Sequence, residues 1–160
     1  MGVMSYVAPE LFHGGTYSKA TDVYAFGMIM WEISAEEKPF LNIPHNSQLA
    51  LQICKGLRPQ ITKDTPEFYC DLMQKCWNVD PEKRPTAKDI KELTSSWYED
   101  ERTQEIQDQI AKAEEIRKSL IKTRREKPQT QHPEAIYTSR SMPNVSKGKF
   151  IKFYIKVIHK

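Results

Sequence analysis

The side chains that most often carry chemistry are few in this sequence and widely scattered. Cys54, Cys70 and Cys76 form no Cys-x-x-Cys pair and no close cluster with histidine. The histidines are His13, His45, His132 and His159. Zinc sites and disulfide frameworks need closely spaced ligands or paired cysteines. We therefore predict no metal ligands and no catalytic residues here, and a reducing compartment, the cytoplasm.

Three other clusters place a charged residue beside proline, glycine or tryptophan. In chain order they are Ala8-Pro9-Glu10, then Asp22-Val23 with Phe26-Gly27, then Cys76-Trp77 with Asp80-Pro81 and Arg84-Pro85. Each cluster alone is common by chance. Their order and spacing together form a specific pattern, so the elements that carry them decide what the chain can do.

The central element is a helix predicted over Lys19–Ala35. Ser18 is a favourable N-cap residue, and Gly14-Gly15 interrupts any helix before it. Apolar residues cover every face of this helix, which is typical of a helix surrounded by protein. We therefore predict a buried central helix that begins close to Asp22.

Shorter helices follow in the first 97 residues. Asn46 or Ser47 caps a helix that ends at Lys55, with Gly56 as its left-handed stop. Thr65-Pro66-Glu67 predicts the next start, with Thr65 as the cap and proline in the first turn. Thr86 and Asp89 resemble a capping box for a fourth helix. The fold class is mainly α, with one helical domain over residues 1–97.

The second part of the chain differs in composition. Residues 1–97 carry a net charge of −2 (10 Lys/Arg, 12 Asp/Glu) and residues 98–160 a net charge of +5 (14 and 9). Residues 98–127 predict a long amphipathic helix whose apolar stripe consists of Ile106, Ile110, Ala113, Ile116 and Leu120. This helix either packs on its own domain, stays solvated or pairs with a partner helix.

Residues 128–160 predict a disordered basic tail, rich at first in proline, serine, threonine and glutamine. Residues 147–160 mix lysine with aromatic and β-branched residues. They are either a membrane-surface or nucleic-acid contact or a stretch without a binding role.

Composition excludes several classes of protein. The net charge of +3 is too small to indicate nucleic acid as a partner. The longest apolar run without charge, residues 23–31, is far shorter than the about 20 residues of a transmembrane helix. No signal-peptide pattern is visible at the N-terminus.

The three clusters, taken together, resemble the C-terminal half of the large lobe of a eukaryotic protein kinase. GVMSYVAPE looks like the end of the activation segment, and DVYAFGMIMWEI looks like the central helix of that lobe. CWNVDPEKRPT looks like the last conserved kinase region, in the form that tyrosine kinases and tyrosine-kinase-like enzymes use. The resemblance covers about residues 2–97.

The resemblance implies structural roles for five residues. Glu10 and Arg84 form a buried ion pair in the family, and Asp22 accepts backbone N–H groups of the catalytic loop. Trp31 and Trp77 are core residues. The resemblance also implies a substrate-facing segment, which consists of Gly2, Val3, Met4, Ser5 and Tyr6.

Phosphoryl transfer in this family needs a Gly-rich loop, a strand lysine, a His-Arg-Asp loop and Asp-Phe-Gly. None of these motifs occurs in the sequence. We therefore expect a truncated kinase that binds no cofactor by itself, whereas the complete kinase uses ATP and Mg²⁺.

We expect the complete form to transfer the γ-phosphate of ATP to Ser/Thr, or to Tyr, of proteins in signalling. The expected partners are protein substrates or regulators. The alternative is a non-catalytic helical module that binds other proteins.

Overall fold

The computed structural model describes residues 1–99, 103–126 and 130–143. Five α-helices and three short 3-10 helices make up the regular structure of these residues. The α-helices are α1 (Lys19–Ala35), α2 (Ser47–Cys54), α3 (Glu67–Cys76), α4 (Ala87–Glu99) and α5 (Thr103–Glu126), and the 3-10 helices are Met4–Tyr6, Pro9–His13 and Pro81–Lys83. None of the described helices has the length and apolar character that a bilayer span requires. The mainly helical fold class is confirmed.

Helix α1 has the predicted bounds because its first turn is closed by side chains. The Ser18 hydroxyl accepts the Thr21 N–H, and the Thr21 hydroxyl accepts the Ser18 N–H, which forms a reciprocal capping box. The helix ends where Glu36 enters the left-handed region at φ 55°. The cap that the sequence indicates therefore fixes the start of the central helix.

One face of α1 is open, contrary to the expectation of a helix buried all round. Tyr24 and Met28 are fully buried, but Phe26, Ile29 and Ile33 are 39%, 45% and 66% exposed. Helical periodicity places the three exposed side chains on one face. The described elements cover these side chains only in part, so the apolar pattern of the sequence overstated the burial of the helix.

Helix α1 packs closely against the end of α3 at Gly27. A Cβ atom at this position would lie 2.9 Å from Cβ of Cys76 and 3.1 Å from the backbone N of Trp77. Glycine is therefore required by this approach of the two helices. The contact brings two of the three sequence clusters together.

The remaining caps agree with the sequence except at α3. The Asn46 carboxamide accepts two backbone N–H groups of α2, and Gly56 follows with φ 97°. Thr86 and Asp89 exchange side-chain hydrogen bonds with each other's backbone N–H at the start of α4. At α3, however, the N-cap is Pro66, not the predicted Thr65. Pro66 has extended backbone angles, so the helix begins one residue later.

Helix α5 packs on the rest of the domain, which is one of the alternatives left by the sequence. Ala113 is buried, and the Gln109 side chain accepts the Phe68 N–H at 3.0 Å. Arg117 forms an ion pair with Glu36 beyond the end of α1. The predicted single helix over 98–127 is wrong in its start, because α4 continues to Glu99 and α5 begins at Thr103.

Residues 130–143, called the strap below, lie across the helical domain. Gly2 and Arg140 form an antiparallel bridge, and Ala135 is only 2% exposed. The expectation of a disordered tail is therefore wrong for these residues, because their backbone groups find partners on the domain. The predicted basic and aromatic end, 147–160, lies outside the described residues.

Candidate functional site

Arg84 lies at the centre of the candidate site, directly after the 3-10 helix Pro81–Lys83. Its side chain is fully buried, and every guanidinium nitrogen donates hydrogen bonds. Its Nε donates to the Asn78 carbonyl at 2.8 Å, and Nη1 donates to the Ala20 carbonyl at 2.8 Å. The remaining donors bind Glu10 and, at 3.4 Å, the Val79 carbonyl, so no polar group of this buried cation lacks a partner.

Both carboxylate oxygens of Glu10 accept hydrogen bonds from the Arg84 guanidinium. Nη1 of Arg84 lies 2.7 Å from Oε1 of Glu10, and Nη2 lies 2.8 Å from Oε2. Such bidentate pairs are stronger than single-bond pairs, and removing one partner of a buried pair typically costs about 3–5 kcal/mol. The pair joins the 3-10 helix Pro9–His13 to the loop before α4.

Tyr24 lies between two arginines beneath this ion pair. The guanidinium carbon of Arg84 is 5.1 Å from the ring centroid, and that of Arg58 is 4.9 Å away. The Tyr24 hydroxyl is buried and has no hydrogen-bond partner. Burial raises the pKa of Tyr24 to about 12, although the two guanidinium groups oppose the shift. The ring therefore stays neutral and receives both cations on its π-faces.

Arg58 is a member of this site that the sequence reasoning missed. Its guanidinium donates to the carbonyls of Ile53, Leu57 and Trp77, which lie at or just past the ends of α2 and α3. Burial lowers the pKa of Arg58 below its usual value. The sequence does indicate this role, because a cationic residue just after a helix often binds the last carbonyls of that helix.

The predicted substrate-facing segment, residues 2–6, is held down at its centre. Met4 and Ser5 are buried, whereas Gly2, Val3 and Tyr6 are partly exposed. The Tyr6 hydroxyl donates to the Glu32 carboxylate, and burial with this carboxylate raises the pKa of Tyr6 above its usual range. The segment is therefore attached to α1 by both packing and a charged hydrogen bond.

Asp22 is separate from this network. It is exposed in the first turn of α1, where the helix dipole favours a carboxylate. It lies on a groove of about 780 Å³. Apolar residues dominate the rest of the lining, including Val23, Phe26, Pro85 and Ile90.

Comparison with known proteins agrees with this arrangement of motifs. Residues 2–93 match the family described as protein tyrosine and serine/threonine kinase. The chain belongs to this kinase family. The matched region contains Glu10, Asp22 and Arg84, and it ends within α4.

Individual protein kinases are similar to the same region. The chain is 42% identical over 90 residues to a probable LIM domain-containing serine/threonine-protein kinase of Dictyostelium discoideum, which covers 56% of this chain and 9% of that protein. It is 36% identical over 90 residues to mitogen-activated protein kinase kinase kinase 7 of Bos taurus, covering 56% of this chain and 16% of that protein. The chain therefore spans less than a fifth of the length of these relatives.

A solved structure shows the same fold. The cryo-EM structure of the AtMLKL3 tetramer matches with a TM-score of 0.51 and 31% identity. The match covers 55% of this chain and 17% of that one. The helices within the matched region thus form the C-terminal helical part of a kinase-like fold.

The two predicted tryptophans of this kinase-family domain lie in the core. Trp31 is 5% exposed and Trp77 is 6% exposed. The indole N–H of Trp31 donates to the Gln60 carbonyl at 2.9 Å. Both rings pack in the same apolar cluster as the buried face of α1.

The described residues do not fit the Mg²⁺ that kinases of this family use. Among them, no group of three or more His, Cys, Asp and Glu residues is placed to hold a metal ion. Burial raises the pKa of Cys54 to about 12 and that of Cys76 to about 11, which disfavours the reactive thiolates. We therefore assign no step of phosphoryl transfer to these side chains.

Proposed function

We propose that the complete form of this chain is a serine/threonine-type, tyrosine-kinase-like protein kinase that transfers the γ-phosphate of ATP to protein hydroxyls in signalling. The observation that carries the proposal is the bidentate pair of Glu10 and Arg84. The pair holds the 3-10 helix Pro9–His13, which follows the substrate-facing segment, against the helical domain. The names of the related Dictyostelium discoideum kinases support the serine/threonine assignment.

In this proposal, residues 2–97 form the surface that binds the protein substrate, and other segments of the complete kinase bind ATP and Mg²⁺. Catalysis of phosphoryl transfer depends mainly on positioning and charge stabilisation. A rigid attachment of residues 2–6 therefore contributes through orientation rather than through a proton or a metal ligand. Arg84 is accordingly a positioning residue.

We further propose that the groove beside Asp22 receives the catalytic loop of the complete kinase. The exposed carboxylate of Asp22 can accept backbone N–H groups, and the apolar lining of the groove offers area for burial. An exposed apolar lining of this kind favours contact with another segment. Asp22 would then shape the loop that carries the reacting groups.

The first test uses the chain itself. We expect calorimetric titration with ATP and Mg²⁺ to give no heat of binding. We also expect incubation with labelled ATP to transfer no phosphate to a generic protein substrate. Phosphate transfer by a purified preparation would contradict this part of the proposal.

The second test asks whether residues 2–97 can complete a kinase. They would replace the corresponding residues in the kinase domain of the Bos taurus relative, whose own amino-terminal part would supply ATP and Mg²⁺ binding. We expect the chimera to phosphorylate protein substrates. The Asp22→Asn and Arg84→Ala chimeras should be much less active, and the control Lys83→Ala chimera should be active. A folded chimera with bound ATP and no transfer would disprove the proposed function.

The alternative, a non-catalytic helical module, receives less support from the contacts of α5. Its stripe residues Ile106, Ala113, Ile116 and Leu120 are at least partly buried. Ile110, at 44% exposed, is the exception. A helix whose apolar stripe already faces its own domain offers little area to a partner helix.

A further inference from the structure

The strap contacts the domain mainly through hydrogen bonds to backbone groups. Gly2 and Arg140 exchange two N–H···O bonds of 3.0 Å. The His132 N–H donates to the Leu41 carbonyl at 2.9 Å, and the His45 N–H donates to the Glu134 carbonyl at 3.0 Å. The Ala135 N–H donates to the His132 carbonyl at 2.8 Å, so the strap makes a turn there before it reaches Gly2. As in other kinds of peptide recognition, main-chain bonds give affinity and side-chain pockets give selectivity.

The loop that receives the strap has an unusual backbone. Phe40, a bulky residue, has φ 62°, and Glu36 has φ 55°. Non-glycine residues in this left-handed region are costly, and they concentrate at ligand clamps and functional sites. The Leu41 carbonyl accepts from the strap, as does that of Pro39.

His45 completes the receiving surface from beneath the strap. It is 3% exposed, and its Nδ1 accepts the Ile136 N–H at 3.1 Å. Nδ1 also lies 3.0 Å from the Ile136 carbonyl, and Nε2 lies 3.2 Å from the Phe40 carbonyl. The buried ring therefore joins the strained loop to the strap.

Three strap side chains add selectivity. Ala135 is 2% exposed, so a charged residue at this position would have to be buried. The Tyr137 hydroxyl donates to the Pro39 carbonyl at 2.9 Å, and the Tyr137 ring meets the His45 ring edge-on at 4.9 Å. The Arg140 guanidinium donates to the His45 carbonyl. The residues between the last two anchors, 138 and 139, are exposed.

We propose that Gly2 and residues 39–45 form a docking surface for a peptide. The peptide carries a small residue, a tyrosine two positions later and an arginine three positions after that, as in Ala135, Tyr137 and Arg140. The strap is the occupant from the same chain. A partner protein that presents such a segment binds when the strap is displaced. This inference does not depend on the proposed kinase function.

The tether of the strap predicts how this competition works. Only three residues, 127–129, separate the end of α5 from the strap. A short tether gives an effective concentration of about 1 mM. A free peptide of the same sequence therefore competes poorly with the strap, and it binds well only when the side-chain anchors of the strap are removed.

The test uses the full chain and a labelled synthetic peptide of residues 130–143. The strap-open variant combines Ala135→Asp with Tyr137→Ala. Ser139→Ala is the matched control, because Ser139 is exposed. Two amides that donate to the strap, those of Gly2 and His45, report its position by hydrogen exchange. The Ala50 amide, which donates to Asn46, reports the domain.

In the strap-open variant we expect exchange at Gly2 and His45 to accelerate by at least about tenfold, with no change at Ala50. Added peptide should bind this variant and restore the slow exchange. The original chain and Ser139→Ala should bind no peptide below about 1 mM. A peptide with aspartate for Ala135 and alanine for Tyr137 should bind neither the strap-open variant nor the original chain nor Ser139→Ala.

Several results would overturn the proposal. Fast exchange without peptide binding would show that the surface serves the strap only. Unchanged exchange would show that the two side chains are not anchors, and equal binding of the substituted peptide would refute the motif. Peptide binding by the original chain at micromolar concentration would show that the strap does not occupy the surface. If the double variant loses helical circular dichroism, Arg140→Ala replaces it, and the same outcomes apply with smaller changes in exchange.

Discussion

The Arg84 site and the strap both attach distant parts of the chain to the helical domain, but they do so with different chemistry. At Arg84, a buried guanidinium binds one carboxylate and three carbonyls. At the strap, backbone groups along an edge form most of the bonds. The first attachment depends on one side chain that cannot be replaced, whereas the second is divided among many modest bonds. We therefore expect substitutions at the Arg84 site to affect global stability, and those at the strap to affect local opening.

The largest expected effect is that of Arg84→Ala. This change leaves Glu10 without its cation, and we expect it to lower the free energy of unfolding by about 3–5 kcal/mol in urea titrations. Arg84→Lys should retain less than half of the free energy of unfolding that Arg84→Ala loses, because a point charge cannot replace the planar guanidinium. Lys83→Ala is the control. Its exposed pair with Asp80 should contribute less than about 1 kcal/mol. A loss below about 1 kcal/mol for Arg84→Ala would remove the contrast between the two attachments.

Alkaline pH should weaken the Arg84 site through Tyr24. Burial raises the pKa of Tyr24 from 10.0 to about 12, so the folded state keeps the proton that the unfolded state releases above pH 10. This contribution to stability is complete below pH 10 and is lost as the pH rises towards 12, by about 2–3 kcal/mol.

Tyr24→Phe separates this effect from other alkaline titrations. At pH 7 the variant should be as stable as the original chain or up to about 1 kcal/mol more stable, because it removes an unpaired buried hydroxyl. Urea midpoints at pH 7 and about 11.5 measure the difference. An equal alkaline loss in both proteins would show that Tyr24 is not its source.

Gly27→Ala tests the helix contact that supports the Arg84 site. The added methyl group would lie 2.9 Å from Cβ of Cys76 and 3.1 Å from a backbone nitrogen, so α1 and α3 must move apart. We expect a loss of about 1–3 kcal/mol, despite the better helix propensity of alanine. Ile33→Ala, at a position that is 66% exposed, should change stability by less than about 0.5 kcal/mol. A stabilised Gly27→Ala variant would contradict the close approach.

The smallest expected effect is that of Tyr137→Phe in the strap. The change removes one hydrogen bond, to the Pro39 carbonyl, and the local cost is about 0.5–1.5 kcal/mol. Hydrogen exchange at the His45 amide should accelerate by about 2- to 10-fold, while the global unfolding free energy stays within about 0.5 kcal/mol. Global destabilisation as large as that of Gly27→Ala would show that the strap and the domain unfold as one unit.

The sequence predicts the elements that side chains specify locally. Ser18 marks the start of α1, and Thr86 with Asp89 marks that of α4, because each cap uses residues three positions apart. The placement of Glu10 near Arg84 was expected from the motif resemblance alone, since 74 residues separate the two in the chain. No local pattern could have paired them.

Other features were not predictable, for identifiable reasons. Periodicity showed that α1 is apolar all round, but it could not show that the face of Phe26, Ile29 and Ile33 is only partly covered. The strap was missed because its bonds are mainly backbone bonds, which leave little trace in composition. Arg58 was missed because its acceptors are carbonyls, so no carboxylate in the sequence marks its position.

The bridge between Gly2 and Arg140 has a consequence for the order of folding. The two residues are 138 positions apart (140 − 2), and closing a flexible loop of that length would cost about 4 kcal/mol in chain entropy. The conformational search for this contact becomes short only after α1 to α5 have formed and α5 has packed. Three residues then join the strap to a helix end whose position is already fixed. The strap should therefore be the last part to fold and the first to detach, and its closure should appear as a late phase in refolding that follows the recovery of helix.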